Sequence, residues 1–235
     1  DKHIYCLRYL RHKIYWNSIL ATALFTEYRY IEELKGLLVS YYYQNWIAGA
    51  TVARIKQTSF NILKLVKSGE SIERISSEIN KNLVIYSTTN TFKEEVKGDF
   101  VYGRNWDRAI LLLIEYFLSD NNKQSFISIG NKLHLEHILP QTPSEYWKIK
   151  FNDDERKKWT NSLANLTLLS MRKNIQAKNY SFDKKIEAYK NKDNVISSFL
   201  ITQDIINSND WNVSELEKRE KYLVDKIMDK LDVFY

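Results

Sequence analysis

The sequence predicts a mainly helical (α+β) protein, in which a helical bundle surrounds a small β-strand–β-strand–α-helix (ββα) element in the C-terminal half. The chain has 235 residues but only six glycines and two prolines, which favours long uninterrupted helices. Apolar residues recur at steps of three and four over much of the first 125 residues, the spacing of amphipathic helices. Two short apolar segments, 133–138 and 166–170, interrupt this spacing and predict the strands.

The first 125 residues predict helices with recognisable ends. Apolar residues keep a helical spacing over residues 20–38 and again over residues 52–66, and Gly69 is a natural stop for the second stretch. Ser71 is a suitable N-cap for the helix that follows. Asp107 opens a further helix whose next residues are almost all apolar, so this helix is expected to be buried on nearly every side.

The C-terminal half has a different order of elements. A short strand over residues 133–138 is expected to end before Pro140, and a partly helical insertion leads to a second strand over residues 166–170. Helical spacing then returns, with one helix expected over residues 181–190 and a terminal helix over residues 214–233.

Pattern and composition together suggest how the protein is organised. The chain divides into a helical linker or scaffold region, residues 1–125, and a second domain, residues 126–235. The single cysteine, Cys6, excludes a disulfide framework and suits a reducing compartment such as the cytoplasm. No run of about 18 apolar residues and no secretory signal pattern exists, so no membrane association is expected. Because the chain begins at Asp1 and runs directly into an apolar segment, we expect it to be part of a longer protein.

Positive charge is concentrated after the second strand. A net charge of +6 and a pI near 9.1 permit a polyanionic partner without demanding one. Residues 171–192 hold seven basic side chains against two acidic ones. Such a run is most often a solvated helix face, but beside the motif described next we favour contact with phosphate. The residues assigned to nucleic-acid binding are Arg172, Lys173, Lys178, Asn179, Lys184 and Lys185.

The stretch Glu136–Gln141, Glu-His-Ile-Leu-Pro-Gln, has the order of parts of a one-metal nuclease. A histidine with a near-neutral pKa can deprotonate an attacking water. One Mg²⁺ held by a carboxylate and an amide oxygen can relieve charge on the phosphoryl group. We therefore assign His137 as general base and Glu136 as metal ligand, although an isolated histidine or glutamate would more often be structural or a surface group. Neighbours in a regular strand face opposite sides, so both reach one phosphate only if the strand ends or bends here, which Pro140 favours.

Asparagines complete the predicted site. Asn165 precedes the second strand, where its amide could hold the connecting loop or orient the histidine; a turn asparagine with a local bond is the simpler alternative. Asn174 falls at the start of the following helix, where its amide oxygen can point to the metal. Lys178 lies four residues further on the same helix face and would meet a phosphate. Gln141 could contact the site from just past Pro140.

These motifs resemble those of a known nuclease family. They are similar to the C-terminal HNH-type nuclease domain of GmrSD-like proteins, which are modification-dependent (type IV) restriction endonucleases and related anti-phage defence proteins of bacteria. HNH domains belong to the wider His-Me finger, or ββα-metal, nucleases. The resemblance covers roughly residues 125–235, and the residues that carry it are Glu136 to Gln141, Leu163 to Ser170, Asn174, Lys178, Asn179, Phe182, Lys184 and Lys185.

The resemblance implies nicking or cleavage of DNA with Mg²⁺, or with Mn²⁺ or another divalent cation in its place. It implies His137 as the catalytic base, Glu136 and Asn174 as metal ligands, and a structural or orienting role in catalysis for Asn165. It also implies an N-terminal nucleotide-binding domain of the same protein that senses DNA modification, and these 235 residues contain no glycine-rich phosphate-binding loop. The chain departs from the family at Ala164, where relatives often have glycine, and at Glu136, where many His-Me nucleases have aspartate.

Other functions stay open at the level of the sequence. A catalytically silent DNA-binding module of the same fold would bind DNA with a salt-dependent affinity but would not cut it. A helical protein-interaction scaffold is what the first 125 residues would suggest alone. The site does not by itself distinguish DNA from RNA, and a homodimer in which two subunits cut two strands is compatible with the sequence but has no motif behind it.

Overall fold

The computed structural model describes residues 1–119, 124–170, 179–190 and 199–232. Within these residues the protein has twelve α-helices and one two-stranded sheet, which confirms the predicted mainly helical class. The elements form two compact units, one made of Asp1–Val96 with the chain end from Met228 and the other of Lys97–Ile227. The units divide ahead of residue 125, where the change of sequence pattern placed a boundary. None of the described helices is long and apolar enough to cross a membrane.

Six helices make up most of the first unit, and local backbone geometry sets the breaks between them. Residues 20–38 are split between two helices, because Glu27 adopts a φ of 52° and turns the chain. The amide of Tyr28 donates to the carbonyl of Ala23 at 2.8 Å, which closes the first of the two. The helices are α1 Lys2–Leu7, α2 Lys13–Phe25, α3 Ile31–Ile47, α4 Val52–Lys67, α5 Ile72–Ile85 and α6 Thr88–Val96.

The predicted stop and cap between α4 and α5 are confirmed. Gly69 has a φ of 70°, a conformation that is strained for other residues, and its amide donates to the carbonyl of Val66 at 3.0 Å. The Ser71 hydroxyl caps α5 by accepting a hydrogen bond from the Arg74 amide at 3.3 Å. Helix α6 was not predicted, because its short amphipathic face holds few apolar side chains.

The second unit carries the strand pair. Helix α7 Asp107–Leu118 is buried nearly all round, as its apolar sequence predicts. Strands β1 Leu133–His137 and β2 Leu166–Ser170 pair in antiparallel fashion, with Glu136 opposite Thr167 and His137 opposite Leu166. The remaining elements are α8 Glu145–Lys150, α9 Asp153–Trp159, a 3₁₀ turn at Leu163–Asn165, α10 Phe182–Tyr189, α11 Leu200–Ile206 and α12 Val213–Leu231.

Buried aromatic rings hold the segment that follows β1. Phe182 and Trp211 stack with their ring centroids 5.6 Å apart. Burying one such side chain contributes about 1.5–3 kcal/mol, so a cluster of them fixes the backbone around it. The cluster includes both residues that follow His137. Its main members are Ile138, Leu139, Trp147, Phe151, Trp159, Phe182 and Trp211.

Candidate active site

His137 is the last residue of β1, and its side chain enters a small polar cluster. The residue is 9% exposed, and its Nε2 lies 3.1 Å from the side-chain oxygen of Asn161. The ring of Tyr102 stands edge-on to the imidazole, with 4.3 Å between centroids. Burial lowers the pKa of His137 to about 4; the hydrogen bond to Asn161 acts in the opposite direction, and the charge of Lys185 adds to the lowering. The imidazole is therefore neutral at pH 7.

The second partner of Asn161 indicates which nitrogen of that ring carries the hydrogen. The side-chain oxygen of Asn161 also accepts a hydrogen bond from Gln141 Nε2 at 3.1 Å, so this oxygen is an acceptor towards both neighbours. His137 Nε2 then donates, and the lone pair of the ring is on Nδ1. Nδ1 makes no hydrogen bond to a residue that the structure describes. It is the atom of this cluster that can accept a proton from a water molecule.

Asn161 is held by a loop at the start of the second unit. Its backbone carbonyl accepts hydrogen bonds from the amides of Val101 at 2.9 Å and Tyr102 at 3.0 Å. This pairing brings the Tyr102 ring against His137. Neither Asn161 nor Tyr102 belongs to a recognisable motif, and no spacing connects them with His137, which is 24 residues from Asn161.

Asn165 is fully buried and uses every hydrogen-bonding group of its side chain. The amide nitrogen donates to the carbonyls of Leu139 and Thr160, both at 2.8 Å. The amide oxygen accepts from the Leu139 amide at 2.7 Å and from the Trp211 indole at 3.2 Å. Leu139 follows His137 by two residues, and Thr160 directly precedes Asn161. These contacts hold the connecting loop, the first of the two roles considered for Asn165, and they do not include the imidazole.

Glu136 lies on the other face of β1, in a buried ion pair with α10. Its Oε1 accepts hydrogen bonds from Lys185 Nζ at 2.5 Å and from the Tyr189 hydroxyl at 3.2 Å. Burial raises the pKa of Glu136 and lowers that of Lys185, and the charge of each partner opposes the effect on the other. Lys185 Nζ also donates to the backbone carbonyl of His137 at 2.6 Å, so one ammonium group contacts both residues of the motif.

The regular pairing of β1 accounts for this separation of Glu136 from His137. The ladder continues to the pair of His137 with Leu166, so the strand does not bend before the histidine. Successive side chains therefore alternate, and Glu136 meets α10 while His137 meets Asn161. A substrate contacted by both side chains would have to approach the end of the strand.

The other predicted site residues occupy three kinds of position. Lys185, which the charge pattern assigned to phosphate, has a side chain that is 1% exposed and is engaged by Glu136, so the structure gives it an internal place. Lys184 and Asn179 are exposed, and the Lys184 ammonium lies 5.9 Å from the ring centroid of Tyr180. The remaining ones lie outside the described residues, namely Arg172, Lys173, Asn174 and Lys178.

The described residues meet the requirements of Mg²⁺ only in part. Glu136 offers Oε2, which accepts no hydrogen bond from a described residue, and a carboxylate oxygen is a donor that Mg²⁺ prefers. The charge of that carboxylate is already balanced by Lys185. Across the described part of the chain, no group of three His, Cys, Asp or Glu side chains could hold a metal ion. Mg²⁺ also takes amide oxygens and waters as ligands, and Asn174, the amide assigned to it from the sequence, lies outside that part.

Comparison with protein families gives the class of this arrangement. Residues 86–226 match the family described as GmrSD restriction endonucleases, C-terminal domain. The chain belongs to this family. Membership indicates a nuclease of a restriction system, and a nuclease domain binds DNA. No curated protein matches the chain.

The GmrSD C-terminal match begins well before the strand pair. The motif residues alone suggested a resemblance from about residue 125, whereas the match starts at residue 86. The added part contains α7 and the loop whose Tyr102 contacts His137. This loop has no sharp motif, which is why the sequence pattern placed it in a linker.

Proposed function

We propose that this GmrSD C-terminal domain hydrolyses a phosphodiester bond of DNA as a His-Me finger (HNH) nuclease, with His137 as general base. The observation that carries the proposal is the neutral imidazole at the end of β1, whose Nε2 is held by Asn161 while Nδ1 keeps its lone pair. A general base needs a proton-free form at the working pH and a fixed direction. Burial supplies the first requirement and Asn161 the second.

In the proposed reaction a water molecule beside Nδ1 loses its proton to His137 as its oxygen attacks the phosphorus and the 3′ oxygen leaves. The hydrogen bond from Nε2 to Asn161 strengthens when the ring becomes positive. Asn165 acts as a positioning residue, because it holds the backbone on both sides of this pair. Glu136 and Asn174 are the proposed ligands of a divalent cation, Mg²⁺ in the first place, which when bound would stabilise charge on the phosphoryl and leaving oxygens.

Nicking of a supercoiled plasmid tests this proposal. We expect nicking with Mg²⁺, none with EDTA, and a loss of about 100-fold or more for His137→Ala. His134→Ala is the matched control, since His134 lies on the same strand and its hydrogen bond among the described residues is local, to the carbonyl of Asn131 at 2.9 Å. A His137→Ala variant that nicks as fast as the unchanged chain would contradict the assignment of the base.

A second candidate, a DNA-binding module without hydrolysis, is favoured by one observation. Lys185 neutralises the carboxylate that would hold the cation. In that case the chain would bind DNA but would not nick it with Mg²⁺ or Mn²⁺. Repeating the assay with the proposed N-terminal nucleotide-binding sensor domain attached separates a silent site from one that stays inactive without this sensor, and it also allows a test of the proposed homodimer.

A further inference from the structure

A groove of about 520 Å³, lined by charged, amide and aromatic side chains, adjoins the His137 cluster on the side of Asn161. Gln141 and Asn161 line it, and their side chains form the hydrogen-bond chain that ends at His137 Nε2. Asn161 therefore contacts both the groove and the proposed base, and Gln141 contacts Asn161. We call it the Asn161 groove, and the residues that matter for its chemistry are Phe100, Gln141, Asp153, Arg156, Lys157 and Asn161.

Helix α9 supplies the charged side chains that line the Asn161 groove. Lys157 has a side chain that is 78% exposed, and its ammonium lies 3.3 Å from Asp154, an exposed pair of a kind that contributes little. It can therefore exchange this partner for another anion. Arg156 pairs with Asp153, the one carboxylate among the residues that line the groove. The groove therefore has two cationic side chains, and the exposed Lys157 ammonium is the one that can turn to a phosphate of a polyanionic strand.

An exposed aromatic ring stands at the rim of the same groove. Phe100 is 65% exposed, yet its backbone is fixed by a bridge to Asn161 and by the Arg104 guanidinium, which donates to the Phe100 carbonyl at 3.2 Å. A positioned ring that is left in solvent beside cations is the combination that nucleic-acid strands use, since phosphates meet the cations and bases stack on the ring.

We infer that the Asn161 groove holds the stretch of DNA strand next to the scissile phosphate, with Lys157 and Arg156 facing backbone phosphates and Phe100 packing on a base. The inference rests on the proposed nuclease function. It places phosphate contacts on α9, before β2, in addition to the basic segment after β2 that the sequence predicts. DNA is preferred to RNA because the family is one of restriction endonucleases.

The cationic wall is tested by measuring the affinity of the whole chain for a short labelled DNA duplex, without a divalent cation, at several salt concentrations. Lys157→Gln should weaken binding about threefold or more and reduce the slope of log K against log salt by about 1. Lys148→Gln is the matched control, because Lys148 forms the same kind of exposed i,i+3 pair, with Glu145 on α8, outside the groove. It should leave both quantities unchanged.

Substitutions of Phe100 and Asp153 should change DNA affinity in opposite directions. Phe100→Ala should weaken DNA binding about fivefold or more without changing the salt slope, whereas Ile149→Ala, at a residue 85% exposed and outside the groove, should change neither. Asp153→Asn removes the carboxylate of the groove and should strengthen binding. All these positions are partly or fully exposed, so thermal unfolding should show that the variants stay folded.

Groove variants that bind DNA as tightly as the unchanged chain would overturn the inference. It would also be overturned if these variants lost affinity for an RNA duplex of the same sequence but not for the DNA duplex. The nicking assay keeps this failure apart from failure of the proposed function. If His137→Ala abolishes nicking but the groove variants bind DNA normally, the groove assignment is wrong and the nuclease stands. If the groove variants lose binding but nicking is absent even with the sensor domain attached, the groove stands as a DNA contact and hydrolysis is wrong.

Discussion

The side-chain amide of Asn165 joins the loop after β1 to the segment before Asn161. Its partners are Leu139, through both amide and carbonyl, Thr160 and Trp211. A buried amide with all its groups engaged can only be replaced by a side chain with donors and acceptors in the same places. Asn165 therefore has a demanding structural role next to the proposed base.

Asn165→Asp tests this role with almost no change of shape. An ionised aspartate has no donor for the carbonyls of Leu139 and Thr160 and buries a charge, and a protonated one has a single donor for the two carbonyls. We expect a loss of about 3 kcal/mol or more in the free energy of unfolding, measured by denaturant titration. Asn209→Asp, at an exposed position, should change stability little. Equal stability of both variants would mean that the four bonds of Asn165 do not hold the loop.

Lys185 is the counter-ion of Glu136, and both side chains are buried. Lys185→Met leaves the carboxylate without its partner, so we expect unfolding to become easier by roughly 3–5 kcal/mol. Adding Glu136→Gln should recover much of that loss, because the unpaired charge is then removed. Lys184→Met, at the exposed neighbouring position, serves as the control. A Lys185→Met variant as stable as this control would contradict the buried ion pair.

At the scale of elements, Glu115 connects α7 with the start of α11. One oxygen accepts a hydrogen bond from the Leu200 amide and the other from the Ile201 amide, both at 3.0 Å. The amides in the first turn of a helix lack partners within the helix, so this carboxylate caps α11 from a distance in sequence. Burial raises the pKa of Glu115, and the two amides act in the opposite direction.

Glu115→Gln should therefore loosen α11. Glutamine keeps one acceptor, but its NH₂ group faces the second backbone amide, which then has no partner. We expect a loss of about 1–3 kcal/mol in thermal or denaturant unfolding, together with faster hydrogen exchange at Leu200 or Ile201. Glu217→Gln, exposed on α12, should leave both measurements unchanged. Unchanged exchange in Glu115→Gln would show that the carboxylate is not the cap.

At the scale of the whole molecule, the net charge of +6 is favourable for the DNA binding that a nuclease domain requires, because DNA is negatively charged. Contacts with phosphate release bound counter-ions, so affinity falls as salt rises. With about three phosphates contacted, we expect the dissociation constant for duplex DNA to rise about 40-fold between 50 and 200 mM salt. An affinity that does not change over this range would mean that charge has no part in binding.

Much of the helical architecture could be predicted, because helix ends depend on nearby residues. Gly69 and Ser71 mark the junction of α4 and α5 through contacts that span at most four residues. The break at Glu27 was missed, since the apolar spacing continues across it and only the backbone angle reveals the turn. Helix α11 was also missed, because its cap is a glutamate 85 residues away.

For the motif around His137, too, one part could be predicted from the sequence and another part depends on tertiary contacts. Composition and spacing predicted the helical class and the two strands, because these depend on local pattern, and the resemblance of the motif residues to a known family predicted the nuclease family. The partners of His137 and Glu136 were not readable, because Asn161 and Lys185 lie 24 and 49 residues away. Strand alternation says that the two side chains face opposite ways, but only packing determines what each one meets. Packing also excludes water from both groups, and the shifts of their pKa values follow from that exclusion.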